Sequence, residues 1–229
     1  MKIQGLQKMT LLDFPGKVAC TVFLGGCDFR CPFCHNGELL DGSAPALLDD
    51  RELLRFLQGR RGLLDGVAIT GGEPLLRKDL PDLLRAVRDL GFAVKVDTNG
   101  NHPTALEGLL REGLADSIAM DIKNSPEKYA LTVGLSSLDL APIRRSVELL
   151  MNSSVPYEFR TTVVDELHSA DDFEAMGQWI SGARAYFLQP FTDRDSVPFA
   201  GLHAPTKENL EKYASIAKVY VPYTSIRGV

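Results

Sequence analysis

The chain has 229 residues, of which 45% are hydrophobic and 24% charged, and its formal net charge is −5. These values are typical of a soluble globular protein, and a negative net charge gives no general affinity for nucleic acid or for an anionic membrane. No apolar run approaches the ~20 residues that cross a bilayer, and residues 1–10 lack the apolar core of a signal peptide. We therefore expect a cytoplasmic protein with a single domain over residues 1–229 and no nucleic-acid or membrane partner.

Short apolar runs alternate with amphipathic runs along the chain. The apolar runs are rich in Val, Ile, Phe and Thr, as strands are, and they lie at residues 18–24, 66–70, 93–97, 117–121, 157–163 and 185–189. The amphipathic runs repeat apolar residues at helical spacing, and they lie at residues 50–59, 79–90, 104–112, 140–152, 170–180 and 206–218. Gly91, Gly113 and Gly182 stand where helix C-caps are expected. This alternation predicts an α/β fold with a parallel sheet, either doubly wound or an incomplete barrel.

All the cysteines lie in one short stretch, at positions 20, 27, 31 and 34. A disulfide scaffold spreads its cysteines through a small secreted chain, so this clustering indicates metal or redox chemistry. Cys27, Cys31 and Cys34 can hold three irons of a cubane cluster and leave the fourth iron open to a small molecule. The alternatives are plain structural thiols or a zinc site with Cys20 or His35 as fourth ligand. Cys20 lies inside a predicted strand, and we interpret it as a buried core residue.

Polar motifs follow the second, third and fourth predicted strands where each strand ends. They are Gly71-Gly72-Glu73, Asp97-Thr98-Asn99-Gly100 and Asp121-Ile122-Lys123. The glycines let a ligand approach the backbone closely, and Glu73 can accept hydrogen bonds from an ammonium group. Asp121 and Lys123 share one side of an extended segment because side chains alternate. Taken singly, each motif also fits an ordinary turn, an Asn-Gly loop or an exposed ion pair.

The shared position of these motifs at strand ends favours one common ligand site over separate turns. In a parallel α/β barrel, the carboxyl ends of the strands converge on one face, and ligands bind there. Four independent surface turns have no reason to carry the three cysteines and these three motifs in this arrangement. Arg160 and Thr162 of the fifth strand, and Gln189 at the end of the sixth, are further candidates for the same site. His168 follows the fifth strand and is expected to be a solvated loop residue.

The cysteine spacing after the first strand and Gly-Gly-Glu after the second resemble the radical S-adenosylmethionine superfamily. Within it, the chain resembles the activases of glycyl radical enzymes, above all activating proteins of anaerobic ribonucleoside-triphosphate reductase. The stretches that carry this second resemblance are residues 5–16, 34–36, 97–100, 120–123 and 157–164. The resemblance implies an incomplete parallel (β/α)6 barrel.

The resemblance also implies roles for individual residues. Cys27, Cys31 and Cys34 would ligate a 4Fe–4S cluster whose open iron binds the amino and carboxylate groups of S-adenosylmethionine. The residues implied around that molecule are Gly71, Gly72 and Glu73 at its amino group, Lys123 near its carboxylate, and Phe33 and Asn36 beside its adenosine. Gln189 stands where some activases carry a ribose-contacting histidine. Asp97, Thr98 and Asp121 match a monovalent-cation site, since carboxylates and a hydroxyl suit a hard cation.

The implied reaction is reductive cleavage of S-adenosylmethionine to methionine and a 5′-deoxyadenosyl radical, which abstracts hydrogen from a glycine of a partner protein. The expected protein substrate is a glycyl radical enzyme, with anaerobic ribonucleoside-triphosphate reductase preferred over pyruvate formate-lyase and its relatives. A flavodoxin- or ferredoxin-type protein is the expected electron donor. The alternatives are a radical S-adenosylmethionine enzyme with a small-molecule substrate and a zinc-holding interaction module without catalysis.

Overall fold

The structure is a computed structural model that describes residues 1–228. Its strands are β1 (Lys2–Ile3), β2 (Gly5–Thr10), β3 (Ala19–Leu24), β4 (Leu48–Asp49), β5 (Gly66–Gly71), β6 (Ala93–Thr98), β7 (Ser117–Asp121), β8 (Tyr157–Val163), β9 (Tyr186–Pro190) and β10 (Thr224–Ile226). Its α-helices are α1 (Asp50–Gln58), α2 (Leu80–Asp89), α3 (Pro103–Arg111), α4 (Tyr129–Thr132), α5 (Ala141–Met151), α6 (Ala170–Trp179) and α7 (Lys207–Lys218). All six predicted strands and all six predicted helices are therefore confirmed, with boundaries within one or two residues.

The main sheet has eight strands in the order β10-β9-β8-β7-β6-β5-β3-β2. Every neighbouring pair from β3 to β10 is parallel, whereas β2 runs antiparallel to β3. In residues 1–228, β2 and β10 stay at opposite edges and do not pair with each other. The architecture is thus an open α/β barrel of mostly parallel strands, with two edge strands that the sequence analysis did not identify.

The central strands are buried because helices cover the sheet. Val67, Ala68 and Ile69 of β5 are all fully buried, as expected for a strand of a parallel sheet. Helix α2 buries Leu83 and Leu84 in the same core, and each such leucine contributes about 1.5–3 kcal/mol. Helices α2, α3 and α6 end where the sequence predicts. Gly91, Gly113 and Gly182, which follow them, have φ angles of 91°, 61° and 85°, a conformation that ends a helix.

Cys20 is completely buried within β3 and belongs to the core, as predicted. In residues 1–228, no helix combines the length and the apolar character needed to cross a membrane.

Candidate functional site

A cavity of about 210 Å³ lies where the parallel strands end, and it collects the predicted site residues. All of them except Glu73 line this cavity. The residues that line it are Cys27, Cys31, Phe33, Cys34, Asn36, Gly71, Gly72, Asp97, Thr98, Asp121, Lys123, Arg160, Thr162 and Gln189. Residues more than 150 positions apart in the sequence are thus brought to one face by the parallel strand order.

The loop that carries the three cysteines leaves β3 and is held by hydrogen bonds. The amide of Phe29 donates to the Cys27 sulfur at 3.4 Å, and the Asn99 side-chain amide lies 3.9 Å from the same sulfur. Burial raises the pKa of Cys27 to about 11 and that of Cys31 to about 12, while the Lys123 ammonium opposes the rise at both. Burial thus disfavours these thiolates, and a bound metal centre would supply positive charge that stabilises them.

The donor set fits a cluster better than a single zinc ion. Zinc needs four donors that converge on one point, yet Cys20 is buried in β3 and does not line the cavity. The His35 ring is stacked on Phe191, and its Nε2 lies 2.7 Å from the Thr192 carbonyl oxygen. Among residues 1–228, no three His, Cys, Asp or Glu side chains surround a single ion position. In a cubane cluster each thiolate bonds its own iron, so three sulfurs spaced around one cavity suit that group.

Gly71 and Gly72 bring the end of β5 directly against the chain that leaves β3. A Cβ atom on Gly71 would lie 2.2 Å from the Leu24 carbonyl oxygen, and one on Gly72 would lie 2.1 Å from the Gly26 carbonyl oxygen. The φ of Gly71 is 125°, a conformation that only glycine adopts without strain. The Asn36 amide donates to the Gly71 carbonyl oxygen at 2.9 Å. The absence of side chains therefore lets the backbone itself form this wall of the cavity.

Glu73 was predicted to accept hydrogen bonds from an ammonium group, and in the structure its carboxylate already has three donors from the protein. The side chain is buried, and its carboxylate accepts hydrogen bonds from the Leu75 amide at 2.9 Å, the Thr98 hydroxyl at 2.9 Å and the Asn99 amide at 2.6 Å. Burial raises the pKa of Glu73 to about 7, against the opposing effect of these donors. Glu73 therefore ties the end of β5 to the end of β6 and shapes the cavity from behind.

This placement predicts that Glu73→Ala lowers the free energy of unfolding by roughly 3 kcal/mol or more, because it leaves two buried amides without acceptors at about 1–3 kcal/mol each. Chemical denaturation measures the change. Glu73→Gln keeps the shape and one acceptor oxygen, and it should cost less than the alanine variant. An alanine variant as stable as the unmodified protein would instead indicate a carboxylate that is free to contact a ligand.

An ion network surrounds the aspartates at the ends of β6 and β7. Arg160 lies between them, with guanidinium nitrogens 3.1 Å from Asp97 and 3.0 Å from Asp121. Lys95 pairs with Asp97, and Lys123 lies 2.8 Å from Asp121. Although burial would raise it, the pKa of Asp121 is lowered to about 2 by Lys123 and Arg160. Asp121 is thus ionised, and each carboxylate oxygen of both aspartates pairs with a cationic side chain.

The sequence analysis did not identify Lys95 as a site residue, because it lies inside strand β6 among apolar core residues. A signal was present, since Lys95 and Asp97 are two positions apart on β6. Alternating side chains place such a pair on one face of the strand, as for Asp121 and Lys123.

Asp28 was also missed, and it fixes the cysteine loop to the loop after β6. Its carboxylate accepts from the Asn99 amide at 2.8 Å and from the Asn101 amide at 2.6 Å, and it lies 3.0 Å from His102 Nε2. Its pKa is lowered to about 2, because these hydrogen bonds outweigh the effect of burial. No sequence spacing links Asp28 to residues more than 70 positions away.

The expectation that His168 is solvated is wrong, because only 4% of this residue is exposed. Its Nε2 lies 2.9 Å from the Lys123 carbonyl oxygen, and its Nδ1 lies 3.1 Å from the Val164 amide. Burial lowers its pKa, so the neutral ring donates through Nε2 and accepts through Nδ1. His168 thereby ties the segment after β8 to the segment after β7 and fixes the backbone of Lys123.

Comparison with known proteins agrees with this geometry. The family model described as the radical SAM superfamily matches residues 21–180. A Methanocaldococcus jannaschii protein, classed by its name with the glycyl-radical enzyme activating enzymes, is 29% identical over 99% of this chain and 96% of its own. The pyruvate formate-lyase-activating enzyme of Clostridium pasteurianum is 32% identical over 72% of this chain and 70% of its own.

A solved structure shares the fold. A domain of the pyruvate-formate lyase-activating enzyme from Bacteroides vulgatus matches with a TM-score of 0.57 and 21% identity, over 71% of this chain and 99% of that one. The family match covers most of the chain, and the cofactors that the family implies are a 4Fe–4S cluster and S-adenosylmethionine. The chain belongs to the radical S-adenosylmethionine superfamily and, within it, to the activating enzymes of the glycyl radical group.

Proposed function

We propose that this protein places a radical on a glycine of anaerobic ribonucleoside-triphosphate reductase, using S-adenosylmethionine and a 4Fe–4S cluster. The observation that carries the proposal is the cavity of about 210 Å³, in which three cysteines face a glycine backbone and a lysine ammonium group. Such a cavity offers ligands for the cluster and polar partners for both ends of an amino acid. When bound, the cluster supplies the electron that splits S-adenosylmethionine into methionine and a 5′-deoxyadenosyl radical.

The side chains around the cavity take distinct parts in holding S-adenosylmethionine. The backbone of Gly71 and Gly72 lies open to its amino group, and Lys123 supplies the positive charge for its carboxylate. Phe33, Asn36 and Gln189 line the remaining wall, where the adenosine would lie. Each charge-assisted contact of this kind is worth about 1.5–3 kcal/mol. These contacts fix the reacting bond in place and exclude water from it.

A second, larger cavity supports a protein as the substrate. It measures about 540 Å³ and shares His35, Arg160, Thr162 and Gln189 with the first. It is also lined by Leu12 near the amino end of the chain and by Arg227 near the carboxyl end, so it lies on the open side of the barrel. A glycine loop of a folded partner needs such an opening, whereas a small-molecule enzyme gains more from a closed pocket.

The partner is named from the sequence resemblance, and one observation favours a second candidate. The similarity to the Clostridium pasteurianum enzyme extends over 72% of the chain, which supports pyruvate formate-lyase or a related glycyl radical enzyme as the alternative substrate. An electron donor of flavodoxin or ferredoxin type, acting in the cytoplasm, completes the proposal, because each cleavage consumes one electron.

The test is to incubate the reduced, cluster-loaded protein and S-adenosylmethionine anaerobically with each candidate partner. We expect a glycyl radical doublet by electron paramagnetic resonance on the reductase, and no doublet when its radical-bearing glycine is replaced by alanine. A doublet on pyruvate formate-lyase alone would select the alternative partner. Formation of 5′-deoxyadenosine driven by a small molecule, with no radical on any protein, would overturn the activase proposal.

A further inference from the structure

In the two aspartates that match a monovalent-cation site, every carboxylate oxygen already pairs with a cationic side chain. Asp97 binds Lys95 through Oδ1 and Arg160 through Oδ2 at 3.1 Å. Asp121 binds Arg160 through Oδ1 at 3.0 Å and Lys123 through Oδ2 at 2.8 Å. The Thr98 hydroxyl donates to Glu73 at 2.9 Å and accepts from the Gly100 amide at 3.1 Å. The residues present therefore do not fit a bound Na⁺ or K⁺.

The charge balance leads to the same conclusion. Three cationic side chains surround two carboxylates, so the group carries a net charge of +1 (three minus two). The guanidinium of Arg160 cannot lose its proton, and the Lys95 side chain is only 1% exposed. A mobile cation that entered this group would meet a net positive charge.

We propose that Lys95 and Arg160 act as built-in counter-charges that take the place of a monovalent cation, so that S-adenosylmethionine binding does not depend on Na⁺ or K⁺. Arg160 holds both aspartates, and Asp121 in turn holds Lys123 at the wall of the cavity. Lys95 pairs with Oδ1 of Asp97, an oxygen that would otherwise attract a cation. This inference rests on the proposed binding of S-adenosylmethionine in that cavity.

Calorimetry of S-adenosylmethionine binding to the cluster-loaded protein tests the inference at constant ionic strength. We expect the affinities for S-adenosylmethionine in choline chloride, sodium chloride and potassium chloride to agree within roughly twofold. A cation that does not bind near the site cannot change the affinity for the second ligand. An affinity that falls roughly tenfold in choline would overturn the inference and leave the proposed function standing. Absence of binding in every salt would overturn the proposed function and the inference with it.

Variants of Lys95 test the mechanism directly. Lys95→Met frees one oxygen of Asp97, and its affinity for S-adenosylmethionine should become dependent on Na⁺ or K⁺ by roughly fivefold or more. The ²³Na resonance should broaden with this variant and not with the unmodified protein. The double variant Lys95→Met/Asp97→Asn removes the freed carboxylate as well and should be independent of cations again.

Lys128→Met is the matched control, because Lys128 pairs with Asp172 on α6 at 2.6 Å and does not line the cavity. It should show no cation dependence. If Lys95→Met folds with normal iron content and still binds equally in all three salts, the role assigned to Lys95 is wrong. If it does not fold, the salt comparison on the unmodified protein decides the inference alone.

Discussion

Alanine in place of Cys27, Cys31 or Cys34 is expected to abolish S-adenosylmethionine cleavage and to remove most of about four irons per chain. The three sulfurs line one cavity, and the proposed cluster already has one iron without a protein ligand. Loss of another thiolate leaves only two attachment points. Iron and sulfide content, visible absorption and 5′-deoxyadenosine formation measure the effect in anaerobically reconstituted protein.

Cys20→Ala is the matched control for this prediction. Cys20 lies in the same stretch of sequence, but it is fully buried in β3 and away from the cavity. Its replacement removes one sulfur from the core, costs about 1 kcal/mol of stability and should leave the iron content normal. The ligand assignment fails if the Cys20 variant loses the cluster while the Cys31 variant keeps its activity.

The central strands could be predicted from the sequence, and the edge strands could not. A strand covered on both faces reads as a continuous apolar run, as β5 does at Val67, Ala68 and Ile69. Strand β2 runs antiparallel at an edge and is largely exposed around Lys8, so it lacks that signal. Strand β10 has three residues, which is too short for any periodicity to emerge.

The site could be predicted wherever a polar residue directly follows a buried strand, because the parallel order brings those strand ends together. The contacts of Asp28 and His168 could not be predicted, because their partners are distant in the sequence and no spacing pattern links them. The sequence also does not show which groups a carboxylate will contact. The position of Glu73 after β5 could be predicted, but only the fold shows that its carboxylate accepts hydrogen bonds from Thr98 and Asn99.

These bracing contacts form a layer behind the cavity. Glu73 joins the ends of β5 and β6, Asp28 joins the cysteine loop to the segment after β6, and His168 joins the segments after β7 and β8. Glu73 and His168 each link two neighbouring strand ends, and Asp28 links the ends of β3 and β6 across β5, which lies between them. Together these contacts set the spacing of the rim. A site assembled from several strands needs such links, because a displacement of about 1 Å is costly in catalysis.

Gly71→Ala should have one of the largest effects of any single substitution outside the cysteines. Gly71 pairs with Leu24 across β3 and β5, and an added Cβ would lie 2.3 Å from the Leu24 nitrogen and 2.2 Å from its carbonyl oxygen. Those atoms are backbone, so relief requires separation of the two strands immediately before the cysteine loop. We expect a loss of at least about 3 kcal/mol in the free energy of unfolding, measured by chemical denaturation, and loss of S-adenosylmethionine binding.

Gly91→Ala separates this steric effect from backbone strain. Gly91 also has a positive φ, 91°, but no atom lies within 4 Å of its added Cβ, so only the strain of about 1–2 kcal/mol remains. Its binding of S-adenosylmethionine should stay normal, because it caps α2 at the opposite end of the strands from the cavity. Equal losses of stability in the two variants would mean that φ alone explains the need for glycine. Normal binding in a folded Gly71→Ala protein would mean that the close approach of β5 to β3 does not form the wall of the site.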